Sequence, residues 1–399
     1  MLSACFALVA VAVSAEIEGV HTTFLDDAGT SVGISWLGRD ADAPGVRYGL
    51  SPSGLGQGTV ATVRSLGAQS IYQATLTELK PGTTYYYQCR TGDSGSVSRV
   101  CSFRTAPVAG QPVTFAVLGD IQVKGHDLAW RRAASWIADK KPDFCVSLGD
   151  QVDKGLLLDQ WKGLFADGAP LFESMVFMPL VGNHDCYETN GRELNPALYL
   201  KLFQLPDNHC PAFAGQWYSF QAGVAAFSML AAYPARDGTP CDVRKVPEQS
   251  AWLETTLSRQ SSKDWKFVAF HPPVYSTGPH GGDTVWFNTL WGDVMEQNRV
   301  AVVFNGHTHA FEITHPIRQG KCVTDGRGII YYNGAGVTFS SPATSNIFTA
   351  AFQHQEREPL VLLVTATPER LVLSTWNIAD NVVIHEQVVM RQAAPSRLP

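Results

Sequence analysis

The sequence predicts an all-β sandwich domain followed by an α/β domain, and two patterns along the chain predict it. Residues 16–106 hold short alternating runs, among them TSVGISWLG, GVRYGL, SIYQATLTEL and TTYYYQCR, broken by Gly, Pro, Ser and Asp at the intervals of a sandwich. From residue 113 onward, strand-length apolar runs alternate with stretches of helical periodicity, which is the pattern of an α/β domain. The 399 residues suffice for two or three domains of about 100 to 200 residues each. With 45% hydrophobic and 11% aromatic residues the chain is a folding sequence rather than a disordered one. Thirty basic and 36 acidic side chains leave −6, without long like-charge blocks, so nucleic acid and anionic membranes are not expected partners.

Residues 1–15, MLSACFALVAVAVSA, form an apolar stretch ending in small residues, with Val13-Ser14-Ala15 before Glu16. This reads as a secretory signal peptide and predicts a secreted or lumenal protein. The stretch has no Lys or Arg at its start, so an uncleaved anchor or a buried first strand stays open as the alternative. No later segment reads as a membrane span, and the C-terminal RQAAPSRLP has no hydrophobic tail. Of eight cysteines, Cys5 falls in the leader. Cys89 and Cys101 lie on strand-like runs joined by the turn-rich TGDSGSV, so a cross-strand disulfide is expected, and it fits an oxidising compartment. Cys145, inside DFCVSLGD, reads as a buried free thiol. LKPGTTYYYQC resembles the tyrosine corner of fibronectin type III domains, with Tyr85 or a neighbour as the corner residue and Trp36 as the core aromatic. TAPVAGQP, 105–112, has the composition of a linker, which leaves the α/β domain residues 111–399.

Within that domain, HDLAWRRAASWIADKK, NPALYLKLFQL, PEQSAWLETTLSRQ and TVWFNTLWGDVMEQN read as helices. Pro142 closes the first, and Pro247 suits the first turn of the third. Five apolar runs each end in metal-binding or acid–base residue types. VTFAVLGD ends at Asp120, FCVSLGD at Asp150 and MVFMPLVGNHD at Asn183-His184-Asp185, while FVAFH ends at His271 and VAVVFNGHTH at His307 and His309. Ligand sites of open α/β sheets lie beyond the carboxyl ends of the strands, so these dispersed residues are expected to converge. Four His, two Asp and one Asn gathered at strand ends for stability alone would be costly, because apposed carboxylates repel unless something neutralises them. His21, His126, His209, His315, His354 and His385 fit no ligand spacing and read as surface or packing residues.

The ordered set GDIQ, GDQVD, GNHD, FHPPVYS and GHTH resembles the calcineurin-like metallophosphoesterases, and the purple acid phosphatase branch in particular, which also carries a fibronectin-like module. The resemblance implies an α-β-β-α layered catalytic domain with two metal ions. Asp150 would bridge them, Asp120 and His309 would hold the first, and Asn183, His271 and His307 the second. Oxygens mixed with imidazoles suit Fe, Mn or Zn, with Mg compatible. Hydrolysis of a small phosphorylated substrate would then proceed by attack of a metal-bridging hydroxide. His184 would face the leaving oxygen and donate a proton, with Asp185 orienting it.

His280 stands where plant enzymes carry the first of two substrate-contacting histidines; the second position is Gly281. The branch's tyrosinate, three residues after the bridging Asp, is Asp153 here, and the first-motif His of other branches is Gln122. Gln122 or Asp153 is therefore the candidate to complete the first metal's shell. The reading is a phosphomonoesterase; a phosphodiesterase of the same superfamily and a degenerate extracellular binding module are the alternatives.

Overall fold

The computed structural model describes residues 17–39, 42–92, 95–187, 196–232, 245–277, 286–334, 336, 350–353 and 359–391. The leader 1–15, Cys241 and His280 lie outside the described residues. The N-terminal domain is a sandwich of two four-stranded antiparallel sheets. One orders Glu18–Phe24, Val32–Gly38, Ser70–Leu76 and Thr62–Ser65, and the other Gln57–Val60, Gly45–Gly49, Thr84–Arg90 and Cys101–Arg104. Trp36 is fully buried between the sheets and stacks on Tyr72 with centroids 5.7 Å apart. The corner residue is Tyr85, whose hydroxyl accepts the Lys80 N–H at 2.9 Å.

The expected disulfide is corrected by strand register. Cys101 pairs across from Tyr87, while the Cys89 N–H donates to the Ser98 hydroxyl at 3.0 Å, so the two cysteines are not opposite each other and both are free thiols. Both thiols are buried, and burial above all pushes the Cys101 thiol up to about 12. Cys145 is a buried free thiol whose pKa burial also raises.

The C-terminal domain stacks two sheets. The six-stranded sheet orders Val176–Pro179, Phe144–Ser147, Val113–Leu118, Leu360–Ala366, Arg370–Asn377 and Val382–Met390, the first three parallel. The seven-stranded sheet runs Tyr218–Ala222, Ala225–Met229, Trp265–Ala269, Val302–Asn305, Ile330–Asn333, Glu312–Thr314 and Ala350–Gln353, with four consecutive parallel strands from Ala225–Met229 to Ile330–Asn333. Their facing sides interlock through Phe115, whose ring meets Phe227, Phe267 and Phe304 at 4.9, 5.4 and 6.2 Å. On the outer side of the first sheet, the helix Leu128–Lys140 buries Trp130, Ala133, Ala134 and Ile137 in a cluster with Ala116, Leu118 and Cys145. Asp127 caps its start by accepting the N–H groups of Ala129 and Trp130, and Lys141 at φ 52° ends it before Pro142. Against the second sheet, Leu253 and Leu257 of Lys245–Arg259 pack with Trp291 and Met295 of Trp286–Gln297. The layering is therefore α-β-β-α.

A helix that the periodicity does not reveal, Leu158–Asp167, has no side-chain N-cap and carries Gly163 mid-way, so its local signal is weak. It packs against strand Glu18–Phe24 of the sandwich. There His21 stacks on Phe165 at 4.4 Å and approaches the Gly19 and Leu202 carbonyls at 2.7 and 2.9 Å. One hydrophobic cluster runs from Trp36 and Tyr85 through Phe24 to Phe144 and Phe220, so the sandwich and the C-terminal domain share a core.

Candidate metal centre

The strands Val113–Leu118, Phe144–Ser147, Val176–Pro179, Trp265–Ala269 and Val302–Asn305 carry the five motifs just beyond their carboxyl ends. The backbone there is unusual. Asp120, Gln122, Asp150, His307 and His309 adopt left-handed φ values of 50°, 48°, 54°, 74° and 54°, five of the eleven non-glycine residues with positive φ among the described residues. Such conformations cost on the order of 1–3 kcal/mol each and persist only where the surroundings over-determine them. Here they are held by specific bonds: Asp120 N–H donates to Gly149 O at 3.1 Å, Gln122 N–H to Asp150 O at 2.8 Å, and His307 N–H to both Asp120 carboxylate oxygens at 2.9 Å.

The glycines before the ligands permit this crowding. A Cβ on Gly182 would overlap the Asp150 carboxylate and amide, and one on Gly306 would come within 2.6 Å of Asp120 Oδ2.

The side chains converge as well. Ligand atoms of Asp150, His271 and His307 all lie within 4.8 Å of one another. His271 Nε2 is 3.1 Å from Asp150 Oδ2, His309 Nε2 is 3.4 Å from Asp120 Oδ1, and the His271 and His307 rings meet edge to face at 5.0 Å. Burial tends to raise the Asp150 pKa, but His271, His184 and His307 hold it well below the usual carboxylate range. Burial tends to lower His271, yet Asp150 and Asp120 bring it up to about 9; His309 is likewise raised by Asp120 against its burial.

These residues fit a metal centre on two observations. The Nδ1–H of His271 donates to Leu148 O at 2.7 Å, which turns Nε2 to Asp150, holding there the proton that a bound cation would displace. That Nε2 is buried and lies 3.1 Å from a carboxylate oxygen of Asp150. The Oδ1 of Asn183 is buried without a hydrogen-bond partner, although the residue is only 4% exposed. A buried acceptor left unpaired costs about 1–3 kcal/mol, and a bound cation satisfies it. The mixed nitrogen and oxygen donors suit a transition metal or Zn.

The remaining expected residues fall around this core. His184 is half-buried, donates its N–H to Asp150 Oδ1 at 2.8 Å, and sets Nδ1 2.9 Å from Asp153 O and 3.6 Å from Asp153 Oδ1. Asp153 therefore lies beside His184 and Lys124, the latter at 4.0 Å, and is not part of the ligand cluster found among the described residues. Gln122 turns Nε2 toward Asp150 Oδ2 at 3.3 Å, presenting a donor rather than a ligand oxygen.

The role expected of Asp185 is corrected. Its carboxylate does not face the His184 ring: it accepts the N–H groups of Gln151 and Val152 on Oδ1, at 2.9 and 3.3 Å, and of Asp150 and Gly182 on Oδ2, at 2.9 and 2.8 Å. It fastens the loop bearing Asp150 to the loop bearing Asn183. Burial and Asp150 push its carboxyl up, while the amides oppose this.

Sequence reasoning missed Tyr187, whose hydroxyl accepts the Asn183 Nδ2 donor at 2.9 Å. It also missed the work of Glu312. This buried carboxylate accepts Thr277 N–H at 3.0 Å, Asn333 Nδ2 at 3.2 Å and Gln353 Nε2 at 2.9 Å, and so ties down the segment after His271. The available signal was its place three residues after His309. Gly336 bridges Gly119, so the glycine-rich tract after Ile330–Asn333 starts beside Asp120; residues 337–342 lie outside the described residues.

Comparison with known proteins agrees with this geometry. Residues 17–105 match the purple acid phosphatase N-terminal domain, and residues 113–311 match the calcineurin-like phosphoesterases. The chain belongs to the calcineurin-like phosphoesterase family. An uncharacterized protein of Mycobacterium tuberculosis is 29% identical over 348 residues, covering 78% of this chain and 64% of that protein. Purple acid phosphatase 15 of Arabidopsis thaliana is 28% identical over 274 residues, covering 61% and 49%. The chain thus spans about half to two thirds of the length of these relatives. The solved purple acid phosphatase PPD1 from yellow lupin seeds shares the fold with a TM-score of 0.77 at 18% identity, over 94% of this chain and 75% of that one. A solved structure of PhoD superposes with a TM-score of 0.63 at 15% identity, over 89% and 85%.

Proposed function

We propose that this calcineurin-like phosphoesterase hydrolyses phosphomonoesters, using two metal ions held by Asp120, Asp150, Asn183, His271, His307 and His309. The observation that carries the reading is the cluster of Asp150, His271 and His307, whose ligand atoms lie within 4.8 Å of one another, together with the buried, unpartnered Oδ1 of Asn183, the residue before the His184 N–H that bonds Asp150. When bound, the ions supply Lewis acidity that activates water and neutralises phosphoryl charge. The chain's own residues supply position and a proton. Asp150, anchored through its backbone by Asp185, presents a carboxylate between His271 and the His184 N–H. His271 is kept as an Nε2 donor by the Leu148 carbonyl. His184 spends Nδ1 on the Asp153 carbonyl, which leaves Nε2 to give a proton to the departing oxygen. His280 is proposed as a phosphate contact on the resemblance alone. The leader-like residues 1–15 support a secreted or lumenal location, and no described helix is long and apolar enough to cross a membrane.

The test is turnover of matched chromogenic phosphomonoester and phosphodiester substrates by residues 16–399, with metal content assayed and Asp150→Ala as control. Preferential monoester turnover, abolished by chelation and in the variant, is expected. Diester preference would replace the monoester reading. Two intact substrates in the presence of Mn, Zn or Fe, with fewer than two ions per chain, would leave a lapsed enzyme acting as a binding module.

A further inference from the structure

We infer that Tyr187 is a positioning residue of the metal centre: its hydroxyl fixes which end of the Asn183 amide faces the ligand cluster. The inference rests on the reading that Asn183 holds a metal ion. An asparagine that offers its oxygen to a cation must lodge its NH2 group elsewhere, and a buried NH2 requires an acceptor. The chain provides one at 2.9 Å, the Tyr187 hydroxyl, and Oδ1 is thereby left buried and unpartnered.

Local structure explains why residue 187 serves. Asn183 is followed by a single 3₁₀ turn, His184–Cys186, closed by Cys186 N–H on Asn183 O at 3.1 Å and Tyr187 N–H on His184 O at 3.2 Å. The turn brings the side chain four residues on back over Asn183. The same ring lies 5.0 Å from that of His184, so one tyrosine borders both functional residues of the motif. Without the hydroxyl, the amide either buries an orphaned NH2 or rotates and turns that NH2 toward the cation, and both states weaken binding. Neighbours that orient a ligand in this way are typically worth about 10- to 100-fold in metal affinity.

The experiment is titration of the metal-stripped full chain with Mn2+, monitored by calorimetry, for wild type, Y187F, N183D and the double variant. Phenylalanine keeps the ring and its packing, and thermal melts check folding. Y187F should weaken the second Mn2+ equivalent about tenfold and leave the first unchanged. In the N183D background, where either end of the side chain is an oxygen, the Y187F effect should shrink to less than about twofold, since no amide orientation remains to be fixed. Unchanged Mn2+ binding in Y187F overturns the inference. So does a loss of equal size in both backgrounds, because it would mean that Tyr187 acts by packing. A wild-type chain that takes up no second Mn2+ would instead sink the metal-centre reading, and this inference with it.

Discussion

Replacing Asp185 by asparagine separates the two roles a carboxylate in this motif could have. In the structure each Asp185 oxygen accepts two backbone N–H groups. The amide keeps one oxygen, so it retains one pair and sets an NH2 against the other. The longer pair, Gln151 and Val152 at 2.9 and 3.3 Å, is the one given up; the bonds to Asp150 and Gly182, at 2.9 and 2.8 Å, are kept. Two hydrogen bonds to a charged group are lost at about 1.5 kcal/mol or more each, so stability should fall by about 3 kcal/mol. Urea unfolding of the metal-stripped catalytic domain within the full chain measures that loss. A pH profile of kcat on the metal-loaded variant measures the other role. Because His184 Nδ1 is served by Asp153, the alkaline limb of the profile, where a proton-donating imidazole is lost, should stay where the wild type has it. A variant within about 1 kcal/mol of wild type in stability, with a displaced alkaline limb, would refute the argument, since the carboxylate would then be serving the imidazole and not the amides.

Two further outcomes follow from crowding and burial. Gly182→Ala places a methyl group on the Asp150 carboxylate and amide, and should lower kcat/KM by roughly 100-fold together with bound metal; wild-type activity and metal content in this variant would refute it. His21 is buried at the domain junction, and burial pushes its pKa down to about 4, below the ordinary value of 6.5 and against the two carbonyls beside it. The folded state thus keeps the ring neutral while the unfolded chain takes up a proton below pH 6.5. Stability is full above that pH and lost as pH falls toward 4, about 2 kcal/mol of it between pH 7 and 5. His21→Gln should flatten that part of the stability profile in urea titrations. Equal slopes in the two proteins, or greater wild-type stability at pH 5, would mean that the Gly19 and Leu202 carbonyls hold the ring as an imidazolium.

The legible part of this site is the part set by strand ends. An apolar run followed by Gly-Asp, Gly-Asn-His or Gly-His-Thr-His states locally where a strand stops and which donor comes next, and parallel strands deliver those donors to one edge. The tyrosine corner was legible for the same reason, because Tyr85 and Lys80 are five residues apart and meet within one turn of chain. What the sequence did not disclose depends on direction rather than on place. Asp185 adjoins His184 in the chain, yet its carboxylate turns to four amides drawn from two loops. Cys89 and Cys101 flank one hairpin, but the register sets Ser98 beside the first and Tyr87 opposite the second.

The left-handed backbone at Asp120, Asp150 and His307 joins the two kinds of information. Nothing in those residue types announces a positive φ, and aspartate and histidine adopt one only at some cost. The glycine before each of them is visible in the sequence, and the structure gives the reason for one at Gly306: the next loop's carboxylate, that of Asp120, occupies the space a Cβ would need. The motif spacing is thus a record of close packing between ligand loops. That packing explains why Asp120 and Asp150 stay in conformations that a looser site would let relax, and why His307 can hold Asp120 through its backbone N–H while its ring belongs to the cluster with Asp150 and His271.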